Sequence, residues 1–502
     1  MSQARSFALA FVFVFGLANQ SSAQTTWYVD IGLASSGSPG LNNGQSWQNA
    51  FHSLNSALSN PLLQSGQEVW VAKGTYFPDA AGLVDPKEAT FLVPNGISLL
   101  GGFVNGMSSP TMRFPSDFQR TILDGVVNSS DRSYHVVTTI GGNSKVTIDG
   151  FLVRNGIAKG TATAVQGDPT RSGGGIYSVG TRLSLKNCFI RENIALDQGG
   201  GLFFSGGESG KRLEVFVSEF DSNTSARQGG GAFVEYFSGS TVDASYIYNS
   251  KFRRNLAGSD STHQGAYDNQ QGGGGLAIGE RGAAAHIAFC NDLFVDNFSR
   301  GWGSAVWHVT TPFAPSYNSN GVFTWSHCTF HGNYVLVEPR DTTPAGTAIY
   351  LTGTVHVDGT GSMSNSIFYE NPRLISVQLI DGIFLDISSG VPTYWAEDHN
   401  QIQAPTATTP LPGYGNIKPN PQFTNTAIGD YSLMATSPCL DKASDDFIPP
   451  DYPDGDLDGN TAEAVEYDYT FGVRIVDLVA GQTCGSSPYT CGEGDMGAYE
   501  RH

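Results

Sequence analysis

The chain repeats one short pattern of apolar and polar residues seven times. Each copy has an apolar residue, two variable residues and then an asparagine, and the asparagines recur every 30 to 42 residues. A small or polar residue usually stands two positions before the apolar one, as Cys188 and Ser218 do. The copies are Leu152–Asn155, Ile190–Asn193, Phe220–Asn223, Phe252–Asn255, Phe294–Asn297, Phe330–Asn333 and Phe368–Asn371.

Clusters of glycine alternate with these copies. They occupy Gly173–Gly175, Gly199–Gly201, Gly229–Gly231 and Gly272–Gly275, and each is followed by alternating apolar residues, as in GGGLFF and GGGAFVEY. Alternation over four to six residues predicts a strand. Helical periodicity is nearly absent from this part of the chain.

Repeated short strands with turns between them predict an all-β fold, a right-handed parallel β-helix. One coil cannot bury its own apolar face, but stacked coils can, because each strand pairs with its equivalent one coil along. We expect the phenylalanines to form one interior column. We expect the asparagines to stack at a turn, where they bond to one another and tolerate a left-handed backbone, and we expect glycines where the backbone bends sharply with positive φ.

Charged residues beside the apolar column support this register. Arg191, Asp221 and Arg253 follow the apolar residue in three consecutive copies, and Glu219 and Lys251 precede it in two. We interpret them as ladders of surface ion pairs on a solvent face, each contributing less than about 1 kcal/mol, and not as a binding site.

The two ends differ from the centre. Residues 1–23 have a basic start, an apolar run and small residues, which predicts a cleaved export signal. Trp47, Phe51, Leu54 and Leu58 recur at helical spacing, which predicts a short helix that closes the N-terminal end of the β-helix. We expect the β-helix with this cap to span 24–420, and an irregular region at 421–502 to close the other end.

The phenylalanine-asparagine and glycine repeats resemble those of the polymorphic outer membrane proteins of chlamydiae over roughly residues 150 to 371. That resemblance implies a β-helix with an adhesin-like role. The stretches TTWYVD, SWQNAFHSLNSAL, SPCLDKA and GDMGAYE are similar to secreted bacterial β-helix proteins with a choice-of-anchor C-terminal region. This second resemblance implies a secreted or cell-surface protein, with the periplasm as an alternative; no sorting tail follows the last motif, which favours release or periplasmic retention.

The composition of the chain restricts the classes of molecule that it can bind. The formal net charge of −19 opposes binding to nucleic acid and anionic lipid, and we expect a monomer without a transmembrane anchor. Export permits disulfides, and Cys484 and Cys491 flank a short loop as the best candidate pair. Cys188 and Cys328 hold equivalent repeat positions, so we interpret them as buried packing thiols.

The segment PDGDLDGN is the candidate metal site. Asp454, Asp456 and Asp458 match the first three ligand positions of a calcium loop, but no carboxylate stands at its last position. An EF-hand is therefore not expected. Either a structural calcium ion or a plain Asp/Gly turn is consistent with the pattern.

The segment TWSHCTFHGN contains the candidate catalytic residues, His327 and His331. It resembles the Trp-Ile-Asp-His-Cys segment of pectate lyases, although Ser326 stands where that family has Asp. The same segment also fits the sixth repeat, in which Cys328, Phe330 and Asn333 are in register. Both interpretations stay open.

A group of aromatic and basic residues is the candidate carbohydrate site. Flat rings stack on sugars, and Trp302 lies in a Gly-Trp-Gly turn where we expect it to be exposed. The alternative is that Trp307 and Trp325 are strand residues that pack in the core. The group comprises Arg300, Trp302, Trp307, His308 and Trp325.

Two functions are consistent with these patterns. The first is non-catalytic binding of a glycan or a surface partner along one elongated face. The second is a polysaccharide lyase or glycoside hydrolase that acts on acidic polysaccharide, for which a cross-coil cluster of carboxylates with Arg or Lys would be needed.

Overall fold

A computed structural model describes residues 26–35, 40–161, 168–206, 210–237, 244–259, 271–281, 286–310, 322–335, 349–352, 361–371, 383–386, 395–398, 401–402, 415–444, 448–449, 468 and 495–499. The predicted export signal at 1–23, the candidate calcium residues Asp454, Asp456 and Asp458, and the pair Cys484 and Cys491 lie outside these residues.

The chain forms a right-handed parallel β-helix, as predicted. In the central part of the chain, each coil passes through four sheets, which we number in that order, and all strand pairings within these sheets are parallel. The strands of sheet 1 have four to six residues and those of sheet 4 have two to six, whereas those of sheet 3 have two.

The strand bounds follow the repeat. Sheet 1 contains Thr26–Val29, Glu68–Ala72, Ser98–Phe103, Lys145–Asp149, Arg182–Lys186, Leu213–Phe216, Ser245–Tyr248, His286–Cys290, Val322–Ser326, Gly361–Ser364 and Trp395–Asp398. Sheet 2 contains Gly74–Tyr76, Thr121–Asp124, Leu152–Arg154, Phe189–Arg191, Glu219–Asp221, Lys251–Arg253, Leu293–Val295, Thr329–His331, Ile367–Tyr369 and Gln401–Ile402. Sheet 3 contains Ile157–Ala158, Ile194–Ala195, Thr224–Ser225, Leu256–Ala257, Phe298–Ser299 and Tyr334–Val335. Sheet 4 contains Phe91–Leu92, Val137–Ile140, Ile176–Val179, Leu202–Ser205, Ala232–Phe237, Leu276–Arg281, Val306–Thr310, Ile349–Thr352 and Ile383–Asp386.

The core is a stack of side chains that point into the coil. Phe220, Phe252, Phe294, Phe330 and Phe368 form the predicted column. Their ring centroids are 4.6 to 5.0 Å apart in successive coils, and the ring planes differ by 6° or less. Parallel aromatic rings prefer an offset stack, and the centroid distance of such a stack is close to the distance between successive coils.

A buried asparagine ladder runs beside this column, at the turn from sheet 2 to sheet 3. Each side-chain amide donates from Nδ2 to the Oδ1 of the asparagine one coil along, at 3.0 to 3.1 Å. The same Nδ2 also donates to a backbone carbonyl of the preceding coil, and Oδ1 accepts the backbone N–H of the preceding asparagine. The ladder comprises Asn193, Asn223, Asn255, Asn297, Asn333 and Asn371.

The left-handed backbone lies one residue earlier than predicted. The residue before each ladder asparagine has positive φ, for example Glu192 at 58° and Arg254 at 52°, whereas the ladder asparagines do not. The reason is that the asparagine must hold its amide inward to bond along the stack. The first copy of the pattern, Leu152–Asn155, was also aligned one residue away from its true register. Leu152 pairs with Phe189, and the residue equivalent to Asn193 is therefore Gly156 and not Asn155.

The N-terminal cap is shorter than predicted. The helix is Leu54–Leu58, and its Leu54, Ala57 and Leu58 join the interior core, which is consistent with closure of that end. Trp47 does not share the helical stripe. It lies in the 3-10 turn Trp47–Asn49 and packs outside sheet 1. The other short helical segments are Pro115–Phe118, Ile31–Ser35, Pro86–Glu88, Pro110–Met112 and Thr426–Ile428.

The described part of the C-terminal region packs along the side of the β-helix. Closure of the last coil by the region 421–502 stays a prediction. A two-stranded antiparallel sheet, Phe423–Asn425 and Asp430–Leu433, places Phe423, Tyr431 and Leu433 against the outer side of sheet 2. Ser444 exchanges two hydrogen bonds with Asn365 at the turn between sheets 1 and 2. Apolar surface on the outside of sheet 2, such as Leu293 and Val295, explains this position.

This C-terminal flank also covers part of the predicted charge ladder. The ladder itself is confirmed, since Arg253 lies 2.9 Å from Asp221 and forms a second ion pair with Glu219. Lys251, however, is buried below the ring of Tyr431 with its Nζ 5.9 Å from the ring centroid. Burial therefore lowers the pKa of Lys251, and the ladder is not a purely solvent-exposed face.

The asparagine ladder yields a stability prediction. The substitution Asn255→Ala removes the bonds to Asn223, Asn297 and the Phe220 carbonyl and leaves their buried polar atoms without partners. We expect a loss of about 3 kcal/mol in the free energy of unfolding, measured as a lower urea midpoint. The exposed Gln64→Ala is the matched control, and an equally small effect of both substitutions would contradict the role of the ladder.

Candidate functional site

The predicted aromatic group does not form one surface. Trp325 points into the coil from sheet 1, is 1% exposed and stacks on Phe289 with ring centroids 3.7 Å apart. His308 points inward from sheet 4, with its ring 4.8 Å from Phe323. The platform prediction is therefore wrong for these two residues, because alternation along each strand directs their side chains into the core.

Trp307 also packs, but on the outside of sheet 4. It is 2% exposed and belongs to an outer aromatic cluster with Tyr177, Phe203 and Phe233. Trp302 is half-buried against that cluster and not freely exposed as predicted, whereas Arg300 is exposed. The alternative in which Trp307 and Trp325 pack as strand residues is confirmed.

The two candidate catalytic histidines are both buried. His327 has positive φ at the turn between sheets 1 and 2, and its Nδ1 and Nε2 lie 2.8 Å from Ser326 Oγ and 3.1 Å from Asn365 Nδ2. Both ring nitrogens thus take part in the turn, and the side chain is fully buried. This geometry favours a structural role for His327.

His331 lies on the outer side of sheet 2 below the C-terminal flank. Its Nε2 is 3.1 Å from Glu370 Oε2, and Phe423 and Tyr431 pack edge-on against the ring. Burial lowers the pKa of His331, while Glu370 and Asp296 partly oppose that effect. The flank covers the ring, which leaves His331 7% exposed.

The thiol prediction is confirmed for Cys188 and Cys328, which are buried and not in disulfides. In the parts of the chain that the structure describes, no group of three or more His, Cys, Asp or Glu side chains could hold a metal ion. Within those same parts, no helix has the length and apolar character to cross a membrane.

A second concentration of charge, which the sequence analysis did not single out, lies on the outer face of sheet 1. Lys145, Arg182 and Arg212 stand at equivalent positions in successive coils, two residues before the outward positions of Thr147, Ser184 and Glu214. We call these three cations, together with Glu214, the basic cluster. Its members come together only because the coils stack in register, since the residues are far apart in the sequence.

Glu214 is the centre of the basic cluster. Its carboxylate is 2.7 Å from Arg212 Nε, 3.1 Å from Arg182 Nη2 and 3.5 Å from Lys145 Nζ. The Glu214 side chain is 1% exposed, whereas those of Lys145 and Arg182 are 39% and 32% exposed. One buried negative charge therefore organises three cations, of which two reach solvent.

The environment keeps Glu214 ionised. Burial alone would raise its pKa, but Lys145 and Arg212 nearby and hydrogen bonds from both arginines have the larger combined effect and lower it. A carboxylate held in this way is a structural counter-ion and a poor proton donor.

Neighbouring residues extend the cationic face. The Arg212 guanidinium lies 5.8 Å from the centroid of the Tyr246 ring, which is half-buried one coil along. Lys186 Nζ is 5.7 Å from the Phe216 ring. Arg182 Nε is buried and has no hydrogen-bond partner among the described residues, so this guanidinium retains an unused donor.

A second carboxylate on this face, Asp149, is also neutralised. Asp149 accepts from Arg113 Nη2 at 2.8 Å and from Asn187 Nδ2 at 2.9 Å. The outward positions of strands Lys145–Asp149, Arg182–Lys186 and Leu213–Phe216, with Arg212, thus have more cations than carboxylates. This local surplus of positive charge contrasts with the formal net charge of −19 of the whole chain.

The basic cluster yields a pH prediction. In Glu214→Gln the three cations lose their counter-ion, and we expect a loss of about 3 kcal/mol in the free energy of unfolding near neutral pH. Because the folded pKa of Glu214 is lower than its ordinary 4.5, the stability it contributes is present above that value and is lost as the pH falls through the folded pKa.

The difference between the parent and Glu214→Gln should therefore shrink below about pH 4.5, measured by urea unfolding at several pH values. Glu88→Gln, at an exposed carboxylate, is the control. A difference that stays constant with pH would contradict the ion-pair geometry.

No protein-family model and no curated protein matches the chain. Among solved structures, it is similar to pectate lyase Pel9A, with a TM-score of 0.47 and 13% identity, covering 95% of this chain and 96% of that one. It is also similar to a pectin methylesterase from Erwinia chrysanthemi, with a TM-score of 0.32, 13% identity and coverages of 73% and 98%. A third is a tailspike protein of Acinetobacter baumannii bacteriophage Fri1, a capsular polysaccharide depolymerase, with a TM-score of 0.31, 12% identity and coverages of 76% and 59%.

Proposed function

We propose that this chain is a secreted or cell-surface protein that binds an anionic polysaccharide along the outer face of sheet 1, without cleaving it. The observation that carries the proposal is the basic cluster, in which Lys145 and Arg182 remain partly exposed around one buried counter-ion. The export signal predicted at 1–23 would bring this face to extracellular glycans.

The shape of the face suits a linear polymer. Equivalent positions in successive coils are about 4.8 Å apart, so cations in three coils form a row parallel to the axis of the β-helix. An extended polysaccharide with a carboxylate or sulfate on its sugars presents charges in a similar linear array. Charge complementarity along a row provides specificity for such polymers and speeds association.

The negative charge of the whole chain restricts binding of a polyanion to the basic cluster. A net charge of −19 repels a polyanion from most of the surface, so binding requires a local excess of cations. Arginine pairs with carboxylate or sulfate oxygens through two N–H groups, and the side chain of Arg182 is 32% exposed to such a ligand. Tyr246 beside Arg212 adds an aromatic surface next to the cations.

The same geometry favours binding over glycosidic cleavage. Hydrolysis needs two carboxyl groups a few ångströms apart, one of them able to donate a proton. On the described part of this face, Glu214 is paired with three cations and Asp149 with Arg113 and Asn187. Neither carboxylate is available in that way. The adhesin-like repeat resemblance agrees with a binding role.

The proposal predicts a charge-dependent affinity. Arg182→Gln and Lys145→Gln should each weaken binding to immobilised polygalacturonate or alginate by about tenfold, since each loses one charge-assisted contact of about 1.4 kcal/mol. Raising the salt concentration should weaken binding of the parent protein, because partly exposed ion pairs are screened. Surface plasmon resonance measures both effects.

Lys87→Gln is the matched control, because Lys87 is exposed and lies outside the basic cluster. Unchanged affinity in Arg182→Gln, or equal losses in all three variants, would contradict the proposed face. Release of new reducing ends from either polysaccharide, abolished in Glu214→Gln, would replace binding by catalysis.

A further inference from the structure

A row of short buried side chains lies inside the turn from sheet 1 to sheet 2, two residues before each member of the stacked apolar column. Each member directly precedes a strand of sheet 2, so the members hold equivalent positions in successive coils. All are 3% exposed or less, and Cys188 and Cys328 belong to the interior core. We call these residues the inner turn row: Cys188, Ser218, Ser250, Asp292, Cys328 and Ser366.

The serines of this row show what the position requires. Each serine hydroxyl donates to the backbone carbonyl two residues earlier in its own coil, as Ser250 does to Tyr248 at 2.9 Å. Each serine Oγ also accepts the backbone N–H of the row member in the preceding coil, as Ser250 does from Ser218 at 3.3 Å. The position therefore needs a side chain that donates and accepts at the same time.

Asp292 is the one carboxyl group in the row, and it makes one of these two contacts. Its Oδ1 accepts the backbone N–H of Ser250 at 2.8 Å. Its Oδ2 is buried and has no hydrogen-bond partner among the described residues. An ionised carboxylate can only accept, whereas a protonated carboxyl group can also donate. A proton on Oδ2 would let Asp292 make the second contact of a row serine, which in this coil is to the Cys290 carbonyl.

Other buried carboxylates of the chain are paired with arginine. Glu214 lies 2.7 Å from Arg212 Nε, and Asp221 lies 2.6 Å from Arg254 Nη2. Among the described residues, no cation forms an ion pair with Asp292, which is fully buried. A buried charge without a partner is so costly that the group stays neutral instead.

The groups around Asp292 supply no positive charge. The preceding coil presents the uncharged Ser250, and the titratable groups beside Asp292 are the thiols of Cys290 in its own coil and Cys328 in the next. Burial therefore raises the pKa of Asp292 well above its ordinary 3.8, and the nearby backbone groups of Ser250 and Cys290 offset only part of this effect.

We propose that Asp292 is a proton switch inside the fold: it carries a proton on Oδ2 at neutral pH and donates it in a hydrogen bond to the Cys290 carbonyl, and the turn opens when alkaline solution removes that proton. Loss of the proton to solvent leaves a carboxylate facing a carbonyl oxygen in the dry interior, with no cation beside it. The turn from sheet 1 to sheet 2 then opens to hydrate the charge.

The sign of the pH dependence follows from the two states of this one proton. The unfolded chain releases it near pH 3.8, whereas the folded chain holds it to a higher pH, so stability is lost as the pH rises between the two pKa values. Asp292→Asn keeps the shape and both hydrogen bonds and carries no charge at any pH. For each pH unit in that interval, the unfolding equilibrium constant of the parent should rise about tenfold relative to that of Asp292→Asn.

Urea unfolding of both proteins from about pH 4 to about pH 9 measures this ratio. Asp292→Ser, which installs the residue of the equivalent position, is the second variant and should behave as Asp292→Asn does. Glu88→Gln, at an exposed carboxylate, is the control and should follow the parent at every pH.

Infrared difference spectra of the parent and Asp292→Asn read the proton directly. The C=O stretch of a protonated carboxyl group should be present in the parent at neutral pH and absent from the variant. A ratio of unfolding constants that stays the same at every pH would overturn the proposal. The absence of the protonated carboxyl band from the folded parent would overturn it as well.

Discussion

The hydrogen bonds between buried asparagines of successive coils are the interaction on which the rest of the structure depends. Each ladder amide bonds to the coil before it and the coil after it, so all its polar atoms are satisfied in one register only. A slip of one residue would turn every inward side chain outward. The stacked phenylalanines then add apolar burial to a register that the amides have already selected.

That register also creates the proposed anionic site. Lys145, Arg182 and Glu214 meet because their strands are in register across three coils. In a solenoid, therefore, a binding surface is a column of equivalent positions, and its chemistry depends on what the coils place at that position.

The fold could be predicted from the sequence because seven copies of one pattern all imply the same stacking. The left-handed residue was misplaced, since a turn of this kind admits Glu192 or Arg254 as well as asparagine, and only the inward hydrogen bonds decide between neighbouring positions. The position of the C-terminal flank against sheet 2 could not be predicted, for another reason. Its position depends on the apolar outer surface around Leu293 and Val295, which the repeat pattern does not reveal.

The sites were harder to predict, because exposure of a side chain depends on its position in the strand and on what covers the sheet. The side chains of Trp325 and His308 point inward, whereas that of Trp307 points outward but is covered. The local sequence around these residues does not distinguish the three cases. The basic cluster did leave a signal. The strands KVTID, RLSLK and RLEVF each carry a basic residue at one equivalent position, which becomes visible once the strands are aligned by the repeats that follow them.

The most direct test of the anionic site is a lysine acetylation footprint, read by mass spectrometry with and without polygalacturonate. Lys145 in the basic cluster and Lys87 outside it are both exposed, so both should react in the free protein. The account predicts that the polysaccharide protects Lys145 and leaves Lys87 reactive. Equal reactivity of Lys145 with and without saturating polysaccharide would contradict binding at the outer face of sheet 1.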